Sequence, residues 1–408
     1  MGMTTSMTTG DARTDSLLTA RIIRSVEEIE DVRDVWVRWQ KHLHCDIDFY
    51  LRQECAAPGF VRPHIIVLYR DGNPEAMWVG KLIHARVGDF RIGSWIVWKS
   101  KLHVLRMPEA GLLGNPTAQH CETFVREIMA ALDRKEADMA TLRGVREDNP
   151  VYRCAMTLPR PLQRDHVVET RLHCSAKLPA SIEEIYAGWT AKSRKNLKWQ
   201  AKQLVNAFAG DVTVRCFRES SELERMMQDV EAVARKAWQR AAGEEGFRDN
   251  AETRQRFLFE AQKGWLRAYV LYLAGSPSAF WRGALYGGTF HTIETGYDPE
   301  FQQHSIGTYL LVKVLEDLCR QGVKVVDFDY GQQMYKQRFG NCEWREAEIC
   351  LFGQNLRGMS LSLLRIATRK ATGFTKWFLS ASKLTPKTKR AWRSAPSVLW
   401  RINPHRDR

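Results

Sequence analysis

The sequence predicts an α+β fold with two tandem, related domains, each a mixed, mostly antiparallel sheet flanked by helices. One observation is an internal repeat. Residues 66–83 (IVLYRDGNPEAMWVGKLI) and 269–286 (YVLYLAGSPSAFWRGALY) match at nine of eighteen positions without a gap, where chance would give about one match. The other is the spacing, because the repeats start 203 residues apart in a 408-residue chain. A period of half the chain indicates two domains rather than a solenoid of roughly 20–50-residue units. The alternative is two similar hairpins in unrelated halves.

Each repeat predicts a strand, a turn containing Gly and Pro, and a second strand, because Gly and Pro interrupt β-rich apolar runs. Helical periodicity before and after the first repeat predicts a helix on either side of the strands. The elements predicted for the first half are a helix, three strands and a helix: 25–41, 64–70, 75–84, 90–98 and 119–135.

The second half is predicted to contain a helix-rich segment, a helix, three strands, a helix and two strands: 182–208, 221–241, 267–274, 278–286, 288–296, 305–321, 323–329 and 344–352. Gly322 ends the helix 305–321, as Gly commonly does just past a helix end. The strand after that helix can return parallel to its predecessor, which makes the sheet mixed.

These elements divide the chain into four parts. We expect a disordered leader at 1–19, an N-terminal domain at 20–170, a C-terminal domain at 171–355 and a basic tail at 356–408. The leader has no apolar core of signal-peptide length and no basic start, so we expect a cytoplasmic protein.

Composition narrows the class of protein. Apolar content of 44% and charged content of 26% are typical of globular proteins, and no apolar run approaches the ~20 residues of a membrane-spanning helix. Nine cysteines without a CxxC pair indicate a reducing compartment. His42, His44 and Cys45 lie close in sequence, but a second ligand cluster is missing. We therefore expect no metal.

The positive charge is concentrated at the C-terminus. The segment 356–408 has thirteen Lys or Arg and one acidic residue, so it carries +12 of the net +14. The rest of the chain is close to neutral. Such a basic appendage suggests an anionic lipid surface or a nucleic acid more than an acidic small substrate.

The loop GYDPEFQQHSIG lies between the strand 288–296 and the helix 305–321. A helix start of this kind binds anions, because free backbone N–H groups and the helix dipole converge there. Residues 302–307 (QQHSIG) resemble the acyl-CoA loop of the GNAT acyltransferase superfamily, Gln/Arg-x-x-Gly-x-Gly/Ala, with Ser305 in place of the first Gly. An ordinary helix capped by Ser305 is the alternative.

Further motifs resemble CelD-like acyltransferases, which are duplicated GNAT proteins related to the Fem-type aminoacyltransferases. Residues 327–331 (DFDYG) with Tyr335-Lys336 resemble their Asp-Phe-x-x-Gly…Tyr-Lys segment, and 193–197 (SRKNL) resembles their Ser-x-x-Arg-x-x-Leu helix start. Trp238 resembles their helical tryptophan, and 296–298 (GYD) the Gly-Tyr-Asp before their loop. The resemblance covers about residues 20 to 355.

The resemblance implies acetyl-CoA or another acyl-CoA as co-substrate, with its pyrophosphate on the loop backbone. The residues expected to bind it are Gln302, Gln303, His304, Ser305, Ile306, Gly307 and Thr308. Shifting 302–307 back by 203 gives 99–104 (KSKLHV), which has no glycine. We therefore expect one donor site, in the second half, with the first half forming a wall of the acceptor cleft or only adding stability.

Direct transfer of an acyl group requires a base for the nucleophile and an acid for the leaving thiolate. The resemblance places the acid at Tyr335. Glu294 and His291 lie three apart on one strand, so they should face opposite sides. Glu294 is the preferred base, and Asp298, Asp327 and Asp329 are the alternatives. The residues expected to contact the acceptor are Asp298, Asp327, Asp329, Trp238 and Lys336.

The tail contains two helical stripes. One is apolar (Leu356, Met359, Leu363, Ile366, Phe374 and Phe378) and one is basic (Arg365, Arg369, Lys376 and Lys383). A basic amphipathic stretch with aromatic residues suits an anionic membrane surface. Packing on its own domain and binding of tRNA phosphates are the alternatives.

The sequence thus predicts an acyl-CoA-dependent N- or O-acyltransferase that acts on a sugar, an amine or an envelope or exopolysaccharide intermediate. It would lie in the cytoplasm, at the inner face of the membrane. One alternative is a Fem-type transferase that uses aminoacyl-tRNA. The other is a non-catalytic adaptor for a membrane or a protein partner.

Overall fold

The computed structural model describes residues 17–92, 95–166, 168–237, 246–331 and 334–381. Twelve strands form one sheet in the order β1-β2-β3-β4-β6-β13-β7-β12-β11-β10-β9-β8, and β5 pairs with β3. The strands are β1 (Leu18–Ile23), β2 (Phe60–Arg70), β3 (Asn73–Ile92), β4 (Trp95–Pro108), β5 (Leu112–Gly114), β6 (Met139–Arg146), β7 (Thr170–Lys177), β8 (Val212–Phe217), β9 (Leu266–Leu273), β10 (Ser276–Tyr286), β11 (Thr289–Tyr297), β12 (Val325–Tyr330) and β13 (Cys342–Phe352).

Ten α-helices of six residues or more cover the described part of this sheet. They are α1 (Arg33–Trp39), α2 (Ala118–Asp133), α3 (Pro150–Thr157), α4 (Ile182–Ala187), α5 (Ala191–Ala207), α6 (Leu223–Lys236), α7 (Ala251–Gln262), α8 (Ile306–Arg320), α9 (Met334–Phe339) and α10 (Leu356–Ala381). None of the helices in the described ranges is both long and apolar enough to span a membrane. The α+β class predicted from the sequence is confirmed.

Both copies of the repeat form the predicted hairpin, β2–β3 and β9–β10. The turns are the residue pairs 71–72 and 274–275, and all four residues have positive φ, as a two-residue type I′ turn requires. The prolines Pro74 and Pro277 lie in the following strand rather than in the turn. In each hairpin, the cross-strand pairing passes over one residue of the second strand, residue 75 in β3 and the equivalent residue 278 in β10. Such an extra residue is a β-bulge.

A repeated glycine has the same physical reason in both halves. A Cβ on Gly80 would collide with Met107 and the Arg106 carbonyl of the next strand, and a Cβ on Gly283 would collide with Phe290 and the His291 carbonyl. A neighbouring strand therefore passes too close to these positions for a side chain. The match between the repeats thus reflects shared backbone geometry.

Equivalent helices cover equivalent parts of the sheet in the two halves. In the first half, α2 packs Phe124, Ile128 and Leu132 into one core cluster with Trp78 and Leu105. In the second half, α8 packs in the same way on Trp281 and Phe290 of the sheet and forms a separate core cluster. The residues that α8 contributes to this cluster include Leu310, Val314, Leu315 and Leu318. The helices predicted at 119–135 and 305–321 are confirmed.

Several elements escaped the sequence analysis: β1, β5, β6, β7, β8, α3, α7 and α9. Strands β1 and β8 are the two edges of the sheet, and they alternate polar and apolar residues over only six positions. The predicted leader 1–19 ends too late, because β1 begins at Leu18. Residues 1–16 lie outside the described residues.

The two halves of the sheet meet where β6 of the first half pairs with β13 of the second. The last strand, β13, lies between β6 of the first half and β7, and it is antiparallel to both. Strand β7 also pairs with β12. The expected domain boundary at 170/171 falls inside β7, so one sheet runs through both halves.

The first part of the tail is the helix α10, and it packs on the protein body. Leu361 joins a cluster that includes Ile83 and Phe352, and buried Arg365 pairs with buried Asp165 at 2.5 and 3.1 Å. The expected basic stripe is therefore wrong at Arg365, which faces the body. Residues 382–408, including Lys383, lie outside the described residues.

Candidate active site between the two halves

The predicted donor loop joins the end of β11 to the start of α8. Asp298 is buried and accepts a hydrogen bond from the Glu300 N–H at 3.1 Å, and it pairs with Lys236 at 2.7 Å. These contacts fix the turn 299–304 that precedes α8. Asp298, expected at the acceptor, thus supports the loop.

Ser305 links that turn to α8 in an unusual conformation. Its φ of 54° and ψ of 38° lie in the left-handed region, and its side chain makes no capping hydrogen bond. The alternative of an ordinary helix capped by the Ser305 hydroxyl is therefore wrong. Left-handed backbone favours glycine, which explains why the GNAT motif has Gly at this place. The Ser305 carbonyl accepts from the N–H groups of Thr308 and Tyr309 at 3.0 and 3.1 Å.

The side chains of the loop leave its backbone accessible. Gln302 and Gln303 are exposed, while Ile306 points into the core. A Cβ added to Gly307 would be 3.6 Å from the nearest atom, in the Tyr297 ring. The first amides of an α-helix have no acceptor within the helix, so the start of α8 presents N–H groups to an anion. His304 packs its ring on Phe208 at 5.6 Å.

The first half has the corresponding helix, but its N-terminus is closed. Thr117 accepts from the His120 N–H, and the His120 ring accepts from the Thr117 N–H at 3.0 Å. The other ring nitrogen of His120 lies 2.9 Å from Glu75. Helix α2 begins 188 residues before α8, so the shift by 203 places 99–104 inside β4 rather than in a loop. The two halves are offset by 203 residues at the hairpins but by 188 at these helices, because β3 and β4 are longer than β10 and β11. Residues 99–104 are therefore not the equivalent of the loop 302–307.

Beside the donor loop, β11 and β12 separate. They pair in parallel only from Thr289–Val325 to His291–Asp327, although β11 continues to Tyr297. In the first half, β4 stays paired with β6 up to Pro108, its last residue. We call the opening between β11 and β12 beyond His291 the fork.

Tyr335 lies over the fork. Its ring meets Trp281 of β10 edge-on at 5.2 Å and Phe328 of β12 at 5.9 Å, so it reaches both sides of the opening. Trp281 donates to the Thr292 hydroxyl at 3.3 Å. The position expected for an acid is thus next to the fork.

A bulge changes which face the residues of β11 occupy. Arg282 pairs with Glu294 but Gly283 pairs with Thr292, so Ile293 is the extra residue. His291 and Glu294 therefore lie on the same face of the sheet. Each is directly across from its partner on β10, Ala284 for His291 and Arg282 for Glu294. The expectation that they face opposite sides is wrong, because an extra residue reverses the alternation of a strand.

Glu294 is held by a cation on that face. Its Oε2 atom lies 3.4 Å from Arg282, whose guanidinium is fully buried and also pairs with buried Glu260 at 2.5 Å. Arg282 stacks on the Phe257 ring at 3.8 Å. The carboxylate is thus bound within a network of the second half.

Asp327 is the centre of a second polar cluster. Its Oδ1 atom accepts from His173 Nε2 at 2.6 Å and from the Asp329 N–H at 2.8 Å, and its Oδ2 atom lies 3.5 Å from His291 Nδ1. The other ring nitrogen of His173 is 3.1 Å from Glu346. Hydrogen bonds from His173 and His291 hold the pKa of Asp327 well below its usual range, although burial opposes this.

His173 is a buried cation. Burial alone would lower its pKa, but hydrogen bonds to Asp327 and Glu346 raise it to about 10. Trp344 stacks on its ring at a centroid distance of 4.4 Å, and Tyr330 meets it edge-on at 5.1 Å. The sequence analysis missed His173 because β7 was not predicted.

The first half contributes His42 and His44 to this cluster. The His42 ring lies 4.6 Å from that of His291, and burial and the nearby His291 lower its pKa well below 6.5. Burial lowers the pKa of His44 to about 4. Both rings are therefore neutral at pH 7. Cys45 lies in an apolar cluster instead.

His42, His291 and Asp327 each offer a ligand atom, and these atoms lie within 4.8 Å of one another. Asp327 already accepts two hydrogen bonds, however, and the charged His173 ring lies beside it. A second cation would be repelled by that charge. We therefore do not assign this cluster as a metal site.

Two other expected acceptor residues have structural contacts. Lys336 is buried, and its amine donates to the carbonyls of Asp329 (3.0 Å) and Tyr330. Asp329 has a φ of 60°, and burial raises the pKa of its carboxyl group. Both residues shape the end of β12. Trp238 lies outside the described residues.

Part of this chain is similar to a known protein family. A family model described as an acetyltransferase (GNAT) domain matches residues 191–337, which include the donor loop, the fork and Tyr335. The second half of the chain thus contains a GNAT-type acetyltransferase domain. A search of curated protein sequences gave no significant match.

Several solved structures are similar to this chain at low sequence identity, and FemX shares its fold. FemX is 9% identical with a TM-score of 0.52, and the alignment covers 75% of this chain and 91% of FemX. The C-terminal domain of a putative lysylphosphatidylglycerol synthetase from Agrobacterium fabrum is 12% identical, with coverages of 84% and 96% and a TM-score of 0.48. A tandem GNAT protein from the clavulanic acid pathway is 12% identical, with coverages of 82% and 98% and a TM-score of 0.47.

Proposed function

We propose that the protein transfers an acyl group from acyl-CoA to an amine or hydroxyl of a small acceptor. The observation that carries the proposal is the combination, in the second half, of an open helix N-terminus with an open fork. The first half has a capped helix and paired strands at the equivalent places. One donor therefore binds per chain.

The donor would lie along the loop and the fork. Backbone N–H groups at the start of α8 would bind the pyrophosphate, since they and the helix dipole favour an anion. Within the described residues, β11 and β12 no longer pair beyond His291, so this edge of β11 would bind pantetheine and the thioester carbonyl through its amides. Such fixed donors stabilise the developing oxyanion.

Tyr335 is our candidate for the acid. Its ring lies over the fork, where the departing thiolate would be, and a phenol remains protonated at neutral pH. A hydroxyl next to the leaving group can supply the proton that the thiolate needs.

The acceptor would approach from the face of the sheet on which Glu294, His291 and the first half lie. By family resemblance we propose a sugar, an amine or an envelope or exopolysaccharide intermediate as acceptor. The polar cluster around Asp327 provides hydrogen-bond partners for such a molecule.

Thermal shift measurements test the donor class. A ligand that binds the native state raises the apparent melting temperature by mass action. We expect acetyl-CoA or a longer acyl-CoA to stabilise the protein, and coenzyme A to do so more weakly. Stabilisation by aminoacyl-tRNA alone would favour the Fem-type alternative, for which the fold shared with FemX is the supporting observation. Stabilisation by neither would favour the adaptor alternative.

We also propose that α10 and the residues after it bind an anionic membrane surface. One side of α10 is packed on the body, and the other side exposes Leu363 (53%), Phe374 (62%) and Trp377 (62%). Positions 363, 370, 374 and 377 follow a helical spacing of three, four and seven, so they share one face. Aromatic residues beside basic ones suit the interface of an anionic bilayer.

Co-sedimentation with vesicles tests this surface. Replacing Phe374 and Trp377 by Ser should reduce binding to phosphatidylglycerol vesicles at least about tenfold, since two aromatic side chains lose their burial. Trp199 is similarly exposed on α5 (58%), so Trp199→Ser is a matched control that should bind as wild type does. Equal binding by the double variant and the wild type would contradict the proposal.

A further inference from the structure

The site still needs a group that removes the proton of the acceptor. We propose that His291 is that base, oriented by Asp327, with His173 holding Asp327 in place. The inference rests on the proposed acyl transfer, because it assigns a role to a residue beside the donor. It replaces Glu294, which the sequence favoured for this role.

The position of His291 fits the role. It is the last residue of β11 that pairs with β12, so it marks the base of the fork. Its ring lies against His42, on the face of the sheet that the first half covers, and the bulge at Ile293 brings Glu294 to the same face. An acceptor on that face would lie between His291 and a thioester in the fork.

The orientation of the ring also fits. His291 Nδ1 faces the Asp327 carboxylate at 3.5 Å, which favours a proton on that nitrogen. His291 Nε2 is buried and has no hydrogen-bond partner within the described residues. A neutral imidazole with its proton on Nδ1 has a lone pair on Nε2, so Nε2 can accept a proton.

His173 explains why Asp327 can remain an anion inside the protein. A buried carboxylate needs a charged or hydrogen-bonding partner, and His173 and the Asp329 amide provide both. Glu346 balances the remaining charge of His173 at 3.1 Å. Asp327 and His173 are thus positioning residues.

The groups that face His291 come from several elements. His42 and His44 lie between β1 and β2 of the first half, Asp327 is on β12, and Glu294 is on β11 itself. His173 acts through Asp327. The two first-half histidines are neutral, so Asp327 is the main charge that would stabilise a protonated His291. Glu294, by contrast, is already bound by the buried Arg282.

The reaction would run in one direct transfer. The nucleophile gives its proton to His291 Nε2 while its lone pair attacks the thioester carbon, and the carbonyl electrons move to oxygen. As the C=O bond reforms, the C–S bond breaks and the thiolate takes the proton of Tyr335. Solvent then carries the proton of His291 to the Tyr335 phenolate, which restores both residues for the next turnover.

The experiment compares two variants on the same face of one strand, His291→Gln and Glu294→Gln. Thiol release from acetyl-CoA is followed over pH, with glucosamine as an amine- and hydroxyl-bearing probe. We expect His291→Gln to lower turnover by roughly 10²–10⁴-fold, as loss of a general base does, and to remove the acidic limb of the pH profile. Affinity for acetyl-CoA and the melting temperature should remain close to wild type.

Asp327→Asn should also lower turnover and shift the acidic limb, because the ring loses its anionic partner. A merely structural role would change the melting temperature without moving that limb. Wild-type turnover by His291→Gln together with a large loss in Glu294→Gln would overturn the proposal. It would leave the proposed acyl transfer standing.

A second measurement does not depend on the acceptor. Nitrogen-15 histidine spectra, assigned by difference with His291→Gln, should show the proton of His291 on Nδ1 at neutral pH. A proton on Nε2 would overturn the inference even in a protein that releases no thiol from acetyl-CoA. Absence of thiol release from the wild type would count against the proposed function instead.

Discussion

The hairpins β2–β3 and β9–β10 have the same turns, the same bulge and the same close-packed glycine, yet the strands and helices after them differ. In the first half, β4 stays paired with β6, and Thr117 and His120 cap the next helix. In the second half, β11 leaves β12 after three pairs, and α8 starts from a left-handed residue without a side-chain cap. The same hairpin is thus followed by paired strands and a capped helix in the first copy, and by separated strands and a helix without a side-chain cap in the second.

The largest expected effect concerns the tyrosine after the last parallel strand of each half. Tyr335→Phe should lower turnover by roughly 10²–10⁴-fold with donor affinity little changed, because the hydroxyl acts only in the transition state. Tyr152 of α3 lies in the first half, in the helix after the parallel strand β6. As a control, Tyr152→Phe should turn over as wild type does. Steady-state kinetics under conditions where chemistry limits the rate measure both. Wild-type turnover by Tyr335→Phe would rule out the acid role.

The next effect concerns the second residue of the helix after the loop. Gly307→Val should weaken acyl-CoA binding at least about tenfold, or 1.4 kcal/mol, because a branched side chain would block the pyrophosphate. The structure predicts that the fold survives, since a Cβ there meets only an ordinary contact at 3.6 Å. Gln119 is the equivalent residue of α2, and Gln119→Val should leave binding unchanged. Calorimetric titration would contradict the loop assignment if Gly307→Val bound as tightly as wild type.

Two buried histidines, one in each half, should respond to pH in opposite ways. The ion pairs of His173 raise its pKa to about 10, so its stabilisation is complete below pH 6.5 and is lost as the pH rises toward 10. Burial lowers the pKa of His64 to about 3, so the stability associated with it is present above pH 6.5 and is lost as the pH falls toward 3.

Urea unfolding between pH 3 and 10 separates these effects. His173→Gln should flatten the alkaline side of the stability profile, and His64→Gln should flatten the acidic side. A profile for either variant that runs parallel to the wild type over its own range would show that the histidine does not titrate as the structure predicts.

The smallest effects are at the two helix N-termini, and they should have opposite signs. Thr117→Ala removes a cap and should lower the free energy of unfolding by about 1 kcal/mol. Ser305→Gly relieves a left-handed backbone and should raise it by about 1 kcal/mol. Chemical denaturation measures both. Destabilisation by Ser305→Gly would mean that the Ser305 side chain makes contacts that outweigh its backbone strain.

The elements that could be predicted from the amino-acid sequence are those whose signals are local. The repeat predicted both hairpins, because the turn residues and the close-packed glycines can be recognised within a short segment of sequence. The apolar periodicity of α8 and the spacing of 302–307 predicted the donor loop and its family. The basic charge of 356–408 is likewise a property of the sequence alone.

The way these elements meet depends on tertiary contacts. The bulge at Ile293 placed His291 beside Glu294, because a single extra residue reverses every later position in a strand and has no sequence signal of its own. The position of β7 between β12 and β13 brought His173 and Glu346 to Asp327, although 154 residues separate His173 from Asp327. Packing also turned Arg365 inward and left Phe374 outside, because a buried partner, Asp165, decides which face of an amphipathic helix meets the body.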